Sequence, residues 1–387
     1  MIPAPLKIPD FRALWLARLS TTIAQMAMVI VIGWQVYDIA RETMPIREAA
    51  FQLGLIGLVQ FVPLFVLTPI SGWAADRLDR RHIGRAVLLL EMLCAVILFI
   101  ATWRGFISLP ILFGVAALLG VARAFAGPAI GGILYDVTPH LPYLFSTILF
   151  AFASICFFTI RPVTRTAIKP GTPWQQMADG LAYVRRNRLV FGAITLDLFA
   201  VLLGGVTAML PVYARDILQV GADGLGPLRA APAAGATLTA IFFSIRPLRT
   251  NVGVKMLSAV VVFGAATAIF GFSTFYPLSL LLLALLGAAD MISVFIRNSL
   301  VQLNTPDTMR GRVSAVSGLA ISASNELGEL QSGLAAGLLG AAGAVAFGGV
   351  GAIVVTAIWA VIFPELRKAR TFAPTFLHSD QAKEPTP

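Results

Sequence analysis

Long apolar runs alternate with short polar joints along most of this chain. A run of about twenty apolar residues is long enough for a helix to cross the ~30 Å hydrocarbon core of a bilayer. Because lipid offers no hydrogen-bond partners, a helix is the structure in which such a run satisfies its own backbone. The pattern predicts a polytopic membrane protein of eleven spans, at residues 12–37, 52–75, 86–103, 109–134, 141–160, 190–213, 224–245, 254–273, 277–298, 313–338 and 340–363.

The composition favours a membrane protein over a pair of soluble domains. The chain is 58% apolar and 12% charged, whereas soluble domains are about 25% charged. Its 387 residues would suffice for two soluble domains, but the apolar runs then need polar alternation, which they lack. The net charge of +10 is interpreted as charge on cytoplasmic loops, not as a nucleic-acid surface. We expect the lipid bilayer to be a partner and nucleic acid not to be one.

Positive charge is distributed very unevenly among the joints. Twenty-one of the 29 lysines and arginines lie in the N-terminus and in 76–85, 161–189, 246–255, 304–312 and the C-terminal tail. The alternate joints hold Arg41, Arg47, Arg104 and Arg215. Because cytoplasmic loops are enriched in Lys and Arg, the pattern predicts a multi-pass membrane protein with both termini and the segment 161–189 in the cytoplasm. In the cytoplasmic segment 161–189, YVRRNR together with Trp174 and Met177 predicts an amphipathic helix on the membrane surface.

The same charge pattern exposes a missing crossing in the first half. The joints 76–85 and 161–189 are both predicted to be cytoplasmic, so the chain must cross an even number of times between them. Only three apolar runs lie there. The run 109–134 contains Gly127 and Pro128, where proline breaks a helix. The dozen residues left to return cover roughly 18–20 Å, which is less than a full crossing. We predict a shortened, broken return segment at 127–139.

Several stretches resemble the major facilitator superfamily of transporters. The turn GWAADRLDRR is similar to the signature loop between helices 2 and 3 of that family, which implies a cytoplasmic gate motif at Gly72, Asp76, Arg77, Arg80 and Arg81. Four further stretches resemble its drug-exporter branch, which includes enterobactin and macrolide efflux proteins. They are GVARAFAGPA (120–129), LPVYARDILQVGADGLGPLRAAPAAGA (210–236), QLNTPDTMRGRVSA (302–315) and NELGELQSG (325–333).

The resemblance implies an all-α fold of two pseudo-repeated helical bundles. Relatives have twelve helices in two halves of six, so this chain would lack the end of helix 4, the following joint and the start of helix 5. The implied organisation is an N-terminal bundle at 1–160, a cytoplasmic linker at 161–189, a C-terminal bundle at 190–364 and a cytoplasmic tail at 365–387.

Ionisable residues inside spans are costly in a membrane and are therefore functional candidates. Asp197 either binds and releases a proton or is a hydrogen-bonded interface residue. Asp290 and Arg297 lie seven residues apart on one helical face, where they either form a structural ion pair, with each other or with another helix, or contact substrate or protons. Glu326 and Glu329 are three residues apart. They either share a proton or cation, because two close carboxylates do not both ionise cheaply, or one pairs with an arginine.

Two further sets of candidates come from the first half. Arg123 resembles the helix-4 arginine that the family uses in proton coupling. Gln35, Gln60 and Phe61 either line a cavity or face neighbouring helices.

The sequence offers little material for an enzyme. It contains no Walker, HExxH or GxSxG motif, only three histidines, and two cysteines that both lie in apolar runs. We therefore predict no catalytic residues, no metal site and no cofactor. The resemblance implies a monomeric secondary transporter of the cell inner membrane that exports a small amphipathic organic molecule, drug-like or siderophore-like, by proton antiport. Two alternatives stay open, a non-functional truncated transporter remnant and an uncoupled facilitator.

Overall fold

A computed structural model describes residues 9–77, 80–123, 141–159 and 172–372. Within these residues the chain is helical and contains no strand. The helices are α1 (Pro9–Thr43), α2 (Ile46–Arg77), α3 (Arg80–Trp103), α4 (Leu109–Arg123), α5 (Leu141–Thr159), α6 (Pro173–Arg186), α7 (Arg188–Leu203), α8 (Val206–Val212), α9 (Gly221–Ile245), α10 (Val252–Gly271), α11 (Tyr276–Leu303), α12 (Asp307–Ile362) and α13 (Pro364–Lys368), with a π-helical turn at Tyr213–Ile217.

The predicted all-α membrane architecture is confirmed. Eight helical segments in the described part of the chain are long and apolar enough to cross a membrane, and Leu109–Ala122 and Tyr143–Cys156 form shorter apolar helices. The total number of spans stays a prediction. The predicted return segment 127–139 lies outside the described residues.

Several helices are longer than the apolar runs that predicted them. The joint predicted at 38–51 is mostly helical, because α1 continues to Thr43 and α2 begins at Ile46. Hydropathy reports only the part of a helix that lies in hydrocarbon, while the solvated ends of the same helix can carry charge. The joint is therefore much shorter than predicted.

The long helix α12 is two helices joined at a single residue. Gly340 has φ 76° and ψ 166°, a backbone conformation that is essentially restricted to glycine. A Cβ added at Gly328 would lie 2.9 Å from the Val201 carbonyl oxygen, and one added at Gly348 would lie 2.2 Å from that of Leu203. Residues on both sides of Gly340 thus pack against the same end of α7. The chain reverses there, one residue from the predicted joint at 339.

The chain forms two compact units. The first contains α1–α5 together with residues 210–229, and the second contains 174–209 and the chain from Ala230 onward. The domain boundaries predicted from the sequence remain a prediction.

In the first unit, polar side chains join helices inside an apolar core. Tyr143 of α5 donates a hydrogen bond of 2.7 Å to Gln35 Oε1 of α1. The Gln35 amide nitrogen donates to Thr102 of α3 at 3.3 Å. Deeper in the unit, Gln25 of α1 donates to the buried carboxylate of Glu91 on α3. These bonds hold α1, α3 and α5 together.

In the second unit, glycines allow helix backbones to touch. A Cβ added at Gly235 of α9 would lie 1.8 Å from the Ala284 carbonyl oxygen of α11. One added at Gly287 of α11 would lie 2.0 Å from the Pro232 carbonyl oxygen of α9. Such close approach is typical of helices that pack without a hydrophobic driving force in lipid.

The helix predicted in the segment 161–189 is present as α6. Its Val184 belongs to a buried cluster with Val190 of α7, Val301 of α11 and Val313 of α12, and Met177 packs against that cluster. Trp174, in contrast, is 62% exposed. Met177 and Trp174 therefore do not share one buried face.

Candidate functional site

An ion pair lies inside the second unit. Arg297 of α11 pairs through Nη1 with Oδ2 of Asp197 on α7, and the side chains are only 4% and 7% exposed. Asp197 stands near the middle of α7, and Arg297 lies within the apolar helix α11. Two charges at such depth persist because each compensates the other.

Local structure fixes the position of Asp197. The side chain of Asn187 caps α7 by accepting a hydrogen bond of 3.2 Å from the Val190 amide. At the other end, a Cβ added at Gly205 would lie 2.6 Å from the Gly328 carbonyl oxygen of α12. The helix that carries Asp197 is thus capped at its start and followed directly by a backbone contact with α12.

A small cavity opens beside the ion pair, between α7, α10 and α11. It is lined by Asp197, Ala200, Val201, Val260, Phe263, Asp290 and Ser293. The cavity has a volume of about 10 Å³, which is room for roughly one water molecule. Ser293 is 3% exposed, and its hydroxyl has no hydrogen-bond partner among the described residues. The cavity therefore offers polar groups that a water or a small ion can contact.

The charges around this cavity do not balance. Asp197 and Asp290 are carboxylates, and among the described residues that line the cavity there is no lysine, arginine or histidine. Arg297 supplies one positive charge, which is paired with Asp197. No ion pair to Asp290 is found in the described part of the chain. The group becomes neutral when it takes up one proton or one monovalent cation.

The structure thus brings together three of the predicted residues, Asp197, Asp290 and Arg297. It answers one question that the sequence left open, because Arg297 pairs with another helix and not with Asp290. Glu326 and Glu329 belong to α12, where Glu326 is 2% exposed and Glu329 is partly buried.

The candidates of the first half are placed differently. The amide of Gln35 is occupied by its bonds to Tyr143 and Thr102. Gln60 is buried on α2, where a Cβ added at Gly120 of α4 would lie 2.5 Å from its carbonyl oxygen. Phe61 is partly buried, with its ring centroid 5.4 Å from that of Phe65. Packing between helices accounts for Gln35, and the cavity role of all three stays a prediction.

The side chains of the predicted gate motif lie outside the described residues, as does that of Arg123. The motif consists of Gly72, Asp76, Arg77, Arg80 and Arg81. α2 ends at Arg77, α3 begins at Arg80 and α4 ends at Arg123.

A family model described as Major Facilitator Superfamily matches residues 117–329, which is more than half of the chain. The chain belongs to the major facilitator superfamily. A second model, described as Transmembrane secretion effector, matches residues 2–126.

Known exporters align with nearly the whole chain. The enterobactin exporter EntS of Escherichia coli O1:K1 / APEC is 24% identical over 429 residues, with 96% of each chain covered. The EntS of Shigella boydii serotype 18 is 24% identical over 424 residues with the same coverage. The first alignment exceeds the 387 residues of this chain by 42 positions. At least that many positions therefore face gaps here.

Solved superfamily structures share the fold. A bacterial homolog of the human lysosomal transporter Spinster, inward-facing and occupied, is 14% identical with a TM-score of 0.63, covering 97% of this chain and 98% of that one. The inward-open xylose transporter XylE from E. coli is 12% identical with a TM-score of 0.63, covering 97% of this chain and all of that one. These likenesses show the superfamily fold.

One charged cluster of this superfamily member was not predicted from the sequence. In the first unit, Asp216 of the π-helical turn accepts a hydrogen bond from Tyr37 and pairs with Arg41 at 3.4 Å. Next to it, Arg215 pairs with Asp38. The sequence does hold a signal for this cluster, because opposite charges lie close together in two short stretches. Asp38 and Arg41 are near the end of α1, and Arg215 and Asp216 are adjacent to each other.

Proposed function

We propose that this chain is a secondary transporter that exports a small amphipathic organic molecule, drug-like or siderophore-like, in exchange for protons. Membership of the superfamily and the likeness to an enterobactin exporter support transport and its outward direction. The observation that carries the proton coupling is the Asp197–Arg297 pair with Asp290 beside it. This arrangement is one positive charge short of neutrality.

In this mechanism Asp290 is the group that gains and loses the coupling proton. When Asp290 is protonated, the cavity holds the balanced Asp197–Arg297 pair and a neutral acid. When it is ionised, an uncompensated charge lies among apolar residues such as Phe263 and Val260. An unpaired charge is costly in a low-dielectric environment. Release and uptake of the proton by Asp290 can therefore be linked to a change in the arrangement of the surrounding helices.

The proposal includes an orientation. Both termini lie in the cytoplasm, because the predicted cytoplasmic joints hold most of the lysines and arginines. The likeness to bacterial exporters supports the inner membrane as the location of the protein. It acts as a monomer, which light scattering of the purified protein tests directly.

Secretion of enterobactin by cells that lack their own exporter tests the function. Cells carrying the wild-type protein are expected to release more enterobactin than cells without it, and a protonophore is expected to abolish the difference. Erythromycin efflux provides a second probe. Release that continues in the protonophore would indicate an uncoupled facilitator. No release of either probe by a monodisperse protein would support the non-functional remnant.

Asp290→Asn is the critical variant, with Asp307→Asn as its matched control. Asp290→Asn is expected to fold and to lose proton-driven release, because it removes the titratable group without leaving a charge. Asp307 is exposed at the start of α12, so Asp307→Asn is expected to transport like the wild type. Full protonophore-sensitive release by Asp290→Asn would contradict the assigned role.

A further inference from the structure

α6 lies across the ends of three spanning helices. Its Val184 is buried with Val190 at the start of α7, Val301 near the end of α11 and Val313 near the start of α12. The hydroxyl of Tyr183 donates a hydrogen bond of 2.8 Å to the Asn304 carbonyl oxygen, one residue past the end of α11. The apolar middles of these helices occupy the hydrocarbon, so α6 lies at the depth of the lipid headgroups.

One side of α6 is committed to the protein. Met177, Gly180 and Val184 are three and four residues apart and therefore share one face of the helix. A Cβ added at Gly180 would lie 2.7 Å from the Arg312 carbonyl oxygen of α12. This face is packed against the unit and is unavailable to a partner.

A second stripe of α6 is apolar, exposed and ends in a cation. Trp174, Leu181 and Arg185 are seven and four residues apart, so they stack on one flank of the helix. Trp174 is 62% exposed and Leu181 is 38% exposed. Arg185 is exposed one turn further along. The flank thus has apolar groups and a positive charge side by side.

The charge on this flank is uncompensated, unlike that of three nearby arginines. Arg312 pairs with Asp179 at 3.2 Å, Arg188 with Glu365 at 3.0 Å and Arg310 with Asp307 at 2.7 Å. Arg185 has no ion pair in the described part of the chain. Arg186 is also exposed and has no ion pair in the described part of the chain, but it lies about 100° further round the helix, seven residues after Asp179.

We propose that the Trp174–Leu181–Arg185 flank of α6 binds an anionic phospholipid at the membrane surface. Tryptophan is enriched at the headgroup level of membranes, where its ring contacts the lipid acyl chains and its N–H remains hydrated. A guanidinium beside it pairs with a phosphate. The apolar part of the stripe requires acyl chains as well as a charge, so the partner is an intact lipid and not a free phosphate. The flank would hold α6, and with it the start of α7, at the bilayer surface.

Thermal unfolding of the full-length protein in detergent, titrated with phosphatidylglycerol, tests this site. Phosphatidylglycerol is expected to raise the melting temperature, while phosphatidylcholine and inorganic phosphate at the same concentrations are not. In Arg185→Gln the concentration for half the effect should rise about fivefold, the loss expected for roughly one arginine near an anionic surface. Arg185→Lys should restore most of the effect.

Arg186→Gln is the matched control, because it removes an adjacent, exposed and unpaired arginine that lies outside the Trp174–Leu181–Arg185 stripe. Its response to phosphatidylglycerol is expected to stay within twofold of the wild type. Trp174→Ala should weaken the response, and Trp174→Phe should retain it. Equal losses in Arg185→Gln and Arg186→Gln would overturn the proposal, as would an equal effect of phosphatidylcholine, an effect of inorganic phosphate alone, or no effect of phosphatidylglycerol.

Discussion

Asp197 of α7 and Arg297 of α11 form an ion pair whose two side chains are almost completely buried in the second unit. One hundred residues of sequence separate them, and the cavity that Asp197 shares with Asp290 lies beside them. A pair at this depth links the packing of two helices to the charge of a neighbouring carboxylate. Substitution of either residue should therefore change both the stability of the protein and its transport activity, and the two effects should differ in size.

Asp197→Asn alone is expected to destabilise the protein by about 3–5 kcal/mol, because it removes the ion-pair partner of the buried Arg297. The double variant Asp197→Asn/Arg297→Gln should recover most of that loss, since the cavity then holds no charge while Asp290 is protonated. Chemical denaturation in detergent measures both. A double variant as unstable as the single one would show that the charges do not compensate each other.

The charged cluster on the π-helical turn predicts a reciprocal charge exchange. Asp38→Arg or Arg215→Asp alone places like charges opposite each other and should lower the free energy of unfolding by about 1 kcal/mol, because the side chains are partly exposed. The double exchange Asp38→Arg/Arg215→Asp should restore it. Melting temperatures of the four proteins measure the coupling, and additive losses would indicate that the pair does not act as a unit.

Close packing of α9 on α11 predicts a large effect from one methyl group. Gly287→Ala is expected to lower the free energy of unfolding by about 1–3 kcal/mol. The new Cβ would clash with the backbone of Pro232, which cannot move aside as a side chain does by changing its rotamer. Gly318→Ala in α12 is the control, since nothing lies within 4 Å of its Cβ position. It should be neutral or slightly stabilising. Equal stability of the two variants would disprove tight packing at Gly287.

The proposed orientation predicts one-sided labelling of introduced cysteines. Ala182→Cys on the exposed part of α6 should react only after the inner side of the membrane is opened to the reagent. Thr43→Cys at the end of α1 should react with a membrane-impermeant maleimide in intact cells. The native Cys94 is buried and Cys156 is partly buried, so a Cys156→Ser background limits unwanted labelling. Reaction of position 182 from outside would reverse the assignment of the second unit.

The sequence predicted the helices well because about twenty residues contribute to each hydropathy signal. It placed the reversal of α12 within one residue, at 339 against Gly340. It also predicted a helix in the segment that contains α6. It failed on helix ends such as Thr43 and Ile46, because charged residues continue a helix beyond the hydrocarbon without an apolar signal.

The site was predicted only in part, because pairing across distant helices is not a local property. Asp197, Asp290 and Arg297 were recognised as candidates from their charge alone. The sequence could not select Asp197 over Asp290 as the partner of Arg297, since the choice depends on how α7 packs against α11. Ser293 and the Arg215–Asp38 pair were missed because a serine and short alternating charges are common in any joint or helix.

The reversal at Gly340 also bears on how the polypeptide is made. The helices on its two sides are joined without a loop, so neither can insert across the bilayer without the other. They should enter the lipid together as a helical hairpin, with the backbone hydrogen bonds of both helices already formed. Packing against α7 would follow insertion. A residue with a side chain at position 340 would thus act during biosynthesis, by stalling the insertion of two helices at once, before it had any effect on the assembled transporter.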